Sequence, residues 1–152
     1  MNWKQFYNLV LIPTLHKLEP DIPYSKQAEL LVSETIFHES GGLNYIAQIP
    51  NDGPGLGICM MEKPTWDWLT TGKYSWVPEI WGHASFSDLT SNLALCVAMC
   101  RLRYWVVKDS LPPLSYGING RADYWGKFYQ TENDPVKKAK YIYDARDLAN
   151  IR

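Results

Sequence analysis

Glu39 is the residue of this chain best placed for acid–base chemistry, because a stripe of apolar helical positions runs straight onto it. Ala28, Leu31, Val32, Thr35 and Ile36 recur at three- and four-residue steps, and one more step reaches Glu39. The spacing puts a carboxylate on a buried face at the C-terminal end of its helix. Desolvation there disfavours the charged form and the negative end of the helix dipole acts in the same sense, so both raise the pKa above the ordinary value of about 4.3. A carboxylic acid that keeps its proton near neutral pH can protonate a leaving oxygen, which is what breaking a glycosidic bond requires. Position alone leaves a second reading open, in which Glu39 pairs with an arginine or frays into water at the helix end. Glu34 falls off the stripe and stands four residues before His38, so a solvated side-chain pair is expected there.

Other chemistries find little support. His16, His38 and His83 are scattered, and His38-Glu39 lacks the second histidine of an HExxH zinc site. No GxSxG elbow and no phosphate-cradling GxxxxGK occurs. Cys59, Cys96 and Cys100 lie in apolar surroundings without CxxC spacing, so they read as buried free thiols rather than as metal ligands or a disulfide framework. Neither a metal nor a cofactor is expected. The 15 Lys and Arg against 16 Asp and Glu leave no broad basic face, which argues against nucleic acid as a partner.

The elements that must position Glu39 are helical. Trp3, Phe6, Tyr7, Val10, Leu11, Leu15 and Leu18 trace a first amphipathic helix, which Pro13 should kink or shorten. Ser25 is a good N-cap and Gly41-Gly42 a good stop, so the helix carrying Glu39 is expected from about Ser25 to Ser40. Leu43 to Pro64 hold Pro50, Asn51, Asp52, Gly53, Pro54, Gly55 and Gly57, a composition that predicts a loop or a small irregular sheet. A short helix over Thr65 to Leu69 follows. Ser87 is expected to cap a long helix from about Asp88 to Val107, apolar nearly all round between Leu93 and Met99 and therefore central. Gly117, Asn119 and Gly120 read as loop before a helix over Ala122 to Tyr129. Asp134-Pro135, a cap followed by proline at the first helical position, leads into a last helix over Val136 to Ala149.

The 152 residues suit one domain, 1–152, mainly α with a turn-rich insertion, and need no disulfide staples. Aromatic content is high at 14%, with seven Trp and ten Tyr; flat rings suit a saccharide groove and equally suit a helical core. The apolar run Leu93 to Met99 falls far short of the ~20 residues of a membrane span. Asn2, Lys4, Gln5 and Asn8 interrupt the N-terminus, so no signal peptide is expected.

Glu39-Ser40-Gly41-Gly42, then Ala47, then Gly53-Pro54-Gly55-Leu56-Gly57-Ile58 together resemble the soluble lytic transglycosylase group of the lysozyme-like superfamily, in which a helix ends in Glu-Ser and a Gly-rich turn follows. Met60-Met61-Glu62 with Pro64-Thr65 is similar to the family's Gln-Met-Glu strand motif. Asp88 and Asn92 look like the opening of its third motif, and Tyr124-Trp125-Gly126-Lys127-Phe128-Tyr129-Gln130-Thr131 resembles its fourth. These pieces span about Ser25 to Tyr143. The resemblance implies an α+β lysozyme-like fold whose cleft, beside a small sheet, binds the glycan strand of peptidoglycan. It implies that Glu39 protonates the bridging oxygen and then serves as base toward the muramoyl 6-hydroxyl, giving 1,6-anhydro ends. Ser40, Gly55, Gly57, Met60 and Tyr129 would be substrate-binding or positioning residues, the glycines by letting backbone approach the sugar. A monomer is expected, as is a phage protein that reaches the wall by a holin or in the virion.

The chain departs from the family pattern at Met60, which stands in the place of a substrate-binding Gln, at Gln130 in the place of Asn, and at Lys63, an apparent insertion. A lysozyme-type hydrolase with Glu62 as second carboxylate is therefore the alternative; about 6.5–9.5 Å between the two acids would mean inversion and about 5–5.5 Å a nucleophile. Asp52, Glu79 and Asp88 are lesser candidates, read as turn residue, surface charge and helix cap. A sugar-binding or virion module without activity is the reading from outside enzymology, and a bare helical interaction domain with Glu39 in water is the last.

Overall fold

A computed structural model describes residues 1–48 and 53–152 as a chain of helices with almost no strand. α1 (Trp3–Phe6) and α2 (Ile12–Lys17) run together through a π-helical turn over Tyr7–Leu11. Pro13 neither ends nor visibly shortens this helix. The Ile12 N–H reaches back to the Tyr7 carbonyl, and this widened turn absorbs the bulk and the missing N–H that proline brings.

α3 (Lys26–Glu39) begins and ends as its sequence predicts. The Ser25 hydroxyl accepts the Ala28 N–H at 3.1 Å. At the other end Gly42 N–H bonds the Phe37 carbonyl at 2.8 Å and Gly41 N–H the His38 carbonyl at 3.2 Å, a closure that needs the positive φ of Gly41, +59°. After the turn-rich segment come α4 (Lys63–Thr70), α5 (Trp76–Glu79), a 3₁₀ turn over Phe86–Thr90 and α6 (Leu93–Trp105). A 3₁₀ turn at Leu114–Tyr116 leads into α7 (Gly117–Phe128), and α8 (Pro135–Ile151) closes the chain with Asp134 accepting the Val136 N–H at 2.8 Å.

Two boundaries differ from expectation. The long helix starts at Leu93, capped by Asn92, whose Oδ1 accepts the Leu95 N–H at 2.9 Å; Asp88 instead belongs to a capping box with Ser85 on the preceding 3₁₀ turn. Ser85 and Asn92 divide between them the job assigned to Ser87. α7 begins at Gly117 rather than Ala122, so Gly120 lies inside the helix, where it serves close approach rather than turning. A Cβ on Gly120 would lie 2.4 Å from the Cβ of Tyr116.

One continuous core, from Trp3 to Leu148, gathers around α6, whose residues from Leu95 to Leu102 are all buried. α3 packs against α6, α7 and α8 and is consequently enclosed on more than one face. That overturns the solvated pair expected at Glu34, which is 1% exposed. Both of its oxygens accept from Arg121, Nε at 2.8 Å and Nη2 at 2.7 Å, and the Tyr141 hydroxyl adds a third bond at 3.1 Å. Nine of the 21 aromatic rings, Trp3, Trp66, Tyr104, Trp125 and Tyr141 among them, are buried in the core, and eight more pack against it. Cys59, Cys96 and Cys100 are free and buried, as read from the sequence.

Among the described residues, the small sheet foreseen between Leu43 and Pro64 amounts to two isolated antiparallel bridges, Ala47 with Leu56 and Leu56 with Met61. Asp52 lies outside the described residues. No helix among those described is long and apolar enough to cross a membrane.

Candidate active site

As the last residue of α3, Glu39 sits where the helix meets the turn-rich segment, and it forms part of the wall of a groove of about 530 Å³. That volume falls within the usual span for sites that bind small organic groups. Half-buried as a residue, Glu39 has its carboxyl set deep among protein atoms. Burial pushes the carboxyl above the ordinary carboxylate range; the charge of His38, the Trp125 hydrogen bond and the charge of Arg103 pull it down by less.

One oxygen of this acid is held and the other is not. The Trp125 indole N–H donates to Glu39 Oε1 at 3.1 Å, while Oε2 has no hydrogen-bond partner among the described residues. Trp125 is itself clamped. Tyr141 of α8 stacks on it with ring centroids 5.0 Å apart, and the His38 ring meets it edge-on at 4.9 Å. His38 Nδ1 bonds Asp144 Oδ2 at 2.7 Å, which sets the proton on that nitrogen, and the Lys140 ammonium donates to the other Asp144 oxygen. α8 thus fixes the indole, and the indole fixes the acid. Trp125→Phe, which keeps most of the ring and deletes the donor, is expected to cost about 1 kcal/mol of stability and to move the Glu39 titration to higher pH, since the lost bond favoured the charged form. A carboxyl-carbon NMR titration of both proteins checks the sign; an unmoved or lowered midpoint would refute the assignment.

The rest of the wall comes from four other places. The turn-rich segment supplies Tyr45, Gln48, Met60 and Glu62; α4 supplies Thr65; α6 supplies Arg103; and the chain leaving α7 supplies Tyr129, Gln130 and Thr131. Tyr129 is buried, its hydroxyl donating to the Cys59 carbonyl at 2.5 Å, and burial holds its phenol well above the ordinary range, so it stays neutral. Arg103 lies over the Tyr129 ring at 4.4 Å and donates from Nη2 to the Tyr129 carbonyl at 2.6 Å. Glu62 is exposed on the same wall. Met60 also lines it, in a left-handed conformation, φ +47°.

Three residues expected at the site stand behind it. Ser40 is fully buried and engaged with its own helix end, donating to the Ile36 carbonyl at 2.7 Å and accepting the Leu43 N–H at 2.8 Å, so it shapes the turn after Glu39 without lining the groove. Gly57, at φ +75°, faces α6: a Cβ there would meet Cys96 Sγ at 2.6 Å and the Leu89 carbonyl at 2.8 Å. A Cβ on Gly55 would meet the Met60 carbonyl oxygen at 3.1 Å and the Gln48 Oε1 at 3.2 Å. Close approach does demand these two glycines, but the surface approached is the protein's own. Glu79, exposed at the end of α5, and Asp88, in its capping box, are not among the groove residues.

Trp125, Arg103, Tyr45 and Gln48 are groove or supporting residues that the sequence reading did not single out. Trp125 lies within the Tyr124–Thr131 segment, which is its sequence signal; for Arg103, on a core helix, the sequence carries none. Comparison of the chain with protein-family models, with curated proteins and with solved structures found no match.

Proposed function

We propose that this chain cleaves the β-1,4 bond between N-acetylmuramic acid and N-acetylglucosamine in peptidoglycan, as a lytic transglycosylase on a lysozyme-like fold. The observation that carries this reading is Glu39: a carboxyl with a raised pKa, one oxygen anchored by an indole and the other unclaimed, in the wall of a groove. Glu39 Oε2 gives its proton to the O4 leaving group as the C1–O4 bond breaks. The resulting carboxylate takes the proton of the muramoyl C6 hydroxyl, and O6 closes on C1, forming the 1,6-anhydro ring without consuming water. Burial serves both halves, since it keeps the acid protonated first and makes the carboxylate a stronger base afterwards. Tyr45, 46% exposed on the wall, offers a ring face to a sugar, and Gln48 an amide to its hydroxyls.

A hydrolase of lysozyme type is the second reading, favoured by the placement of Glu62 on the same groove wall, where a carboxylate can activate water or trap the sugar cation. Mass spectrometry of muropeptides released from purified walls separates the two. Anhydro-muramoyl ends are expected, each lighter by one water, about 18 Da, than the reducing end that hydrolysis would leave. Reducing ends alone would transfer the second role to Glu62.

A further inference from the structure

We propose that Arg103 is a subsite for a carboxylate carried by the glycan, so that the groove prefers acid-bearing aminosugar strands to neutral polymers of N-acetylglucosamine; this rests on the reading of the groove as a glycan site. Of the side chains that line the groove, Glu39 and Glu62 are the carboxyls and Arg103 is the cation. Its guanidinium is arranged before any ligand arrives. One face rests on the Tyr129 ring at 4.4 Å, Nη2 is fixed to the Tyr129 carbonyl at 2.6 Å, and Tyr129 is pinned in turn through its hydroxyl to Cys59.

The remaining guanidinium donors have no partner among the described residues, and they are accessible. Among the described residues no carboxylate pairs with Arg103, and none of its nitrogens is a buried atom without a partner. Arg121 shows the contrast, with its fork closed on Glu34 inside the core. A planar fork already held by stacking loses little freedom on meeting a planar carboxylate, which it can grip through two parallel bonds. A dianionic phosphate would fit the fork as well, but its second charge would add to the repulsion from Glu62 on the same wall, so the single charge of a carboxylate suits the groove better. Peptidoglycan offers that group in two places, on the peptide stems and, once stems are removed, on the lactyl ether of muramic acid. The fork serves either.

Binding to a protein that cannot turn over tests this. Glu39→Gln, alone and combined with Arg103→Met, is titrated calorimetrically with three soluble glycans of equal length: stem-bearing, amidase-trimmed with free lactyl carboxylates, and chitooligosaccharide. The single variant is expected to bind at least one acidic glycan about tenfold more tightly than the neutral one, and the double variant to hold all three within about twofold. Preference for the stem-bearing glycan alone assigns the stem carboxylate, and preference for the trimmed one assigns the lactyl group. Arg103→Lys, keeping charge without the fork, should retain part of the preference. Equal weakening toward all three glycans in the Arg103→Met protein would reduce Arg103 to a support for Tyr129 and overturn the proposal. Should that variant fail to fold, raised salt on the single variant must weaken only the acidic glycans, or the proposal falls. Absence of binding to any of the three would instead overturn the glycan reading of the groove itself.

Discussion

Glu39→Gln is expected to lower the clearing of purified peptidoglycan by at least a few hundredfold, measured as the fall in turbidity of wall suspensions, while leaving a folded protein. Such a factor corresponds to about 3 kcal/mol of barrier and lies within the usual worth of a general acid. The amide keeps the size and can still accept the Trp125 N–H that holds Oε1 now, so the loss is of the proton rather than of the groove. Stability moves the other way. Because burial raises the folded-state pKa of Glu39 above its unfolded value, the folded protein holds that proton over a window where the unfolded chain has released it. Wild-type stability from this group is therefore full below the unfolded pKa and declines as pH rises through the folded one. The glutamine protein has no such decline, so its melting temperature relative to wild type should improve as pH rises out of the acidic range. A variant that clears walls undiminished would remove Glu39 from the chemistry, whatever its melting curve.

What the sequence made legible was local. Ser25, Gly41-Gly42 and Asp134-Pro135 fix helix ends by satisfying N–H and C=O groups a few residues away, and there prediction and structure agree. The stripe that ends on Glu39 was likewise readable, because a period needs only one helix. Apart from the two helix starts at Leu93 and Gly117 and the π turn that accommodates Pro13, the failures are questions of what stands opposite. Glu34 looks solvent-facing on a helix with one apolar side, but α3 has α6, α7 and α8 around it, and the arginine that neutralises Glu34 comes from 87 residues away. Trp125 reaches Glu39 across 86 residues. Arg103 turns from a core helix into the groove, a departure that no periodicity announces. Gly55 and Gly57 are expected to admit a sugar, and instead admit the Met60 carbonyl, Cys96 and Leu89, neighbours that only the folded chain supplies.

The buried Glu34–Arg121 pair supports the second large expectation, on stability rather than rate. Glu34→Gln leaves the Arg121 guanidinium, itself 6% exposed, without its counter-charge, and stranding one member of a buried pair costs about 3–5 kcal/mol. For a chain of this length that is a fall in melting temperature of roughly 6–20 °C. Arg121→Met leaves Glu34 with the more distant Arg152, 3.7 Å away, and the Tyr141 hydroxyl, and should cost less than Glu34→Gln. Combining Glu34→Leu with Arg121→Met should cost less than the sum of the separate losses, because two apolar side chains need no hydration replaced and the pair's own attraction barely exceeds its desolvation. Thermal melts of wild type, Glu34→Leu, Arg121→Met and their combination form a double-mutant cycle, and strictly additive losses would show that the two groups do not act as a unit. The location gives the pair a consequence for the groove. It ties α3 to α7 five residues before Glu39 and four before Trp125, and Tyr141, which bonds Glu34, also stacks on that indole. Clearing of walls by Glu34→Gln should therefore fail at a lower temperature than in wild type and in step with its melt, since the helices that aim the acid are the ones this pair holds together.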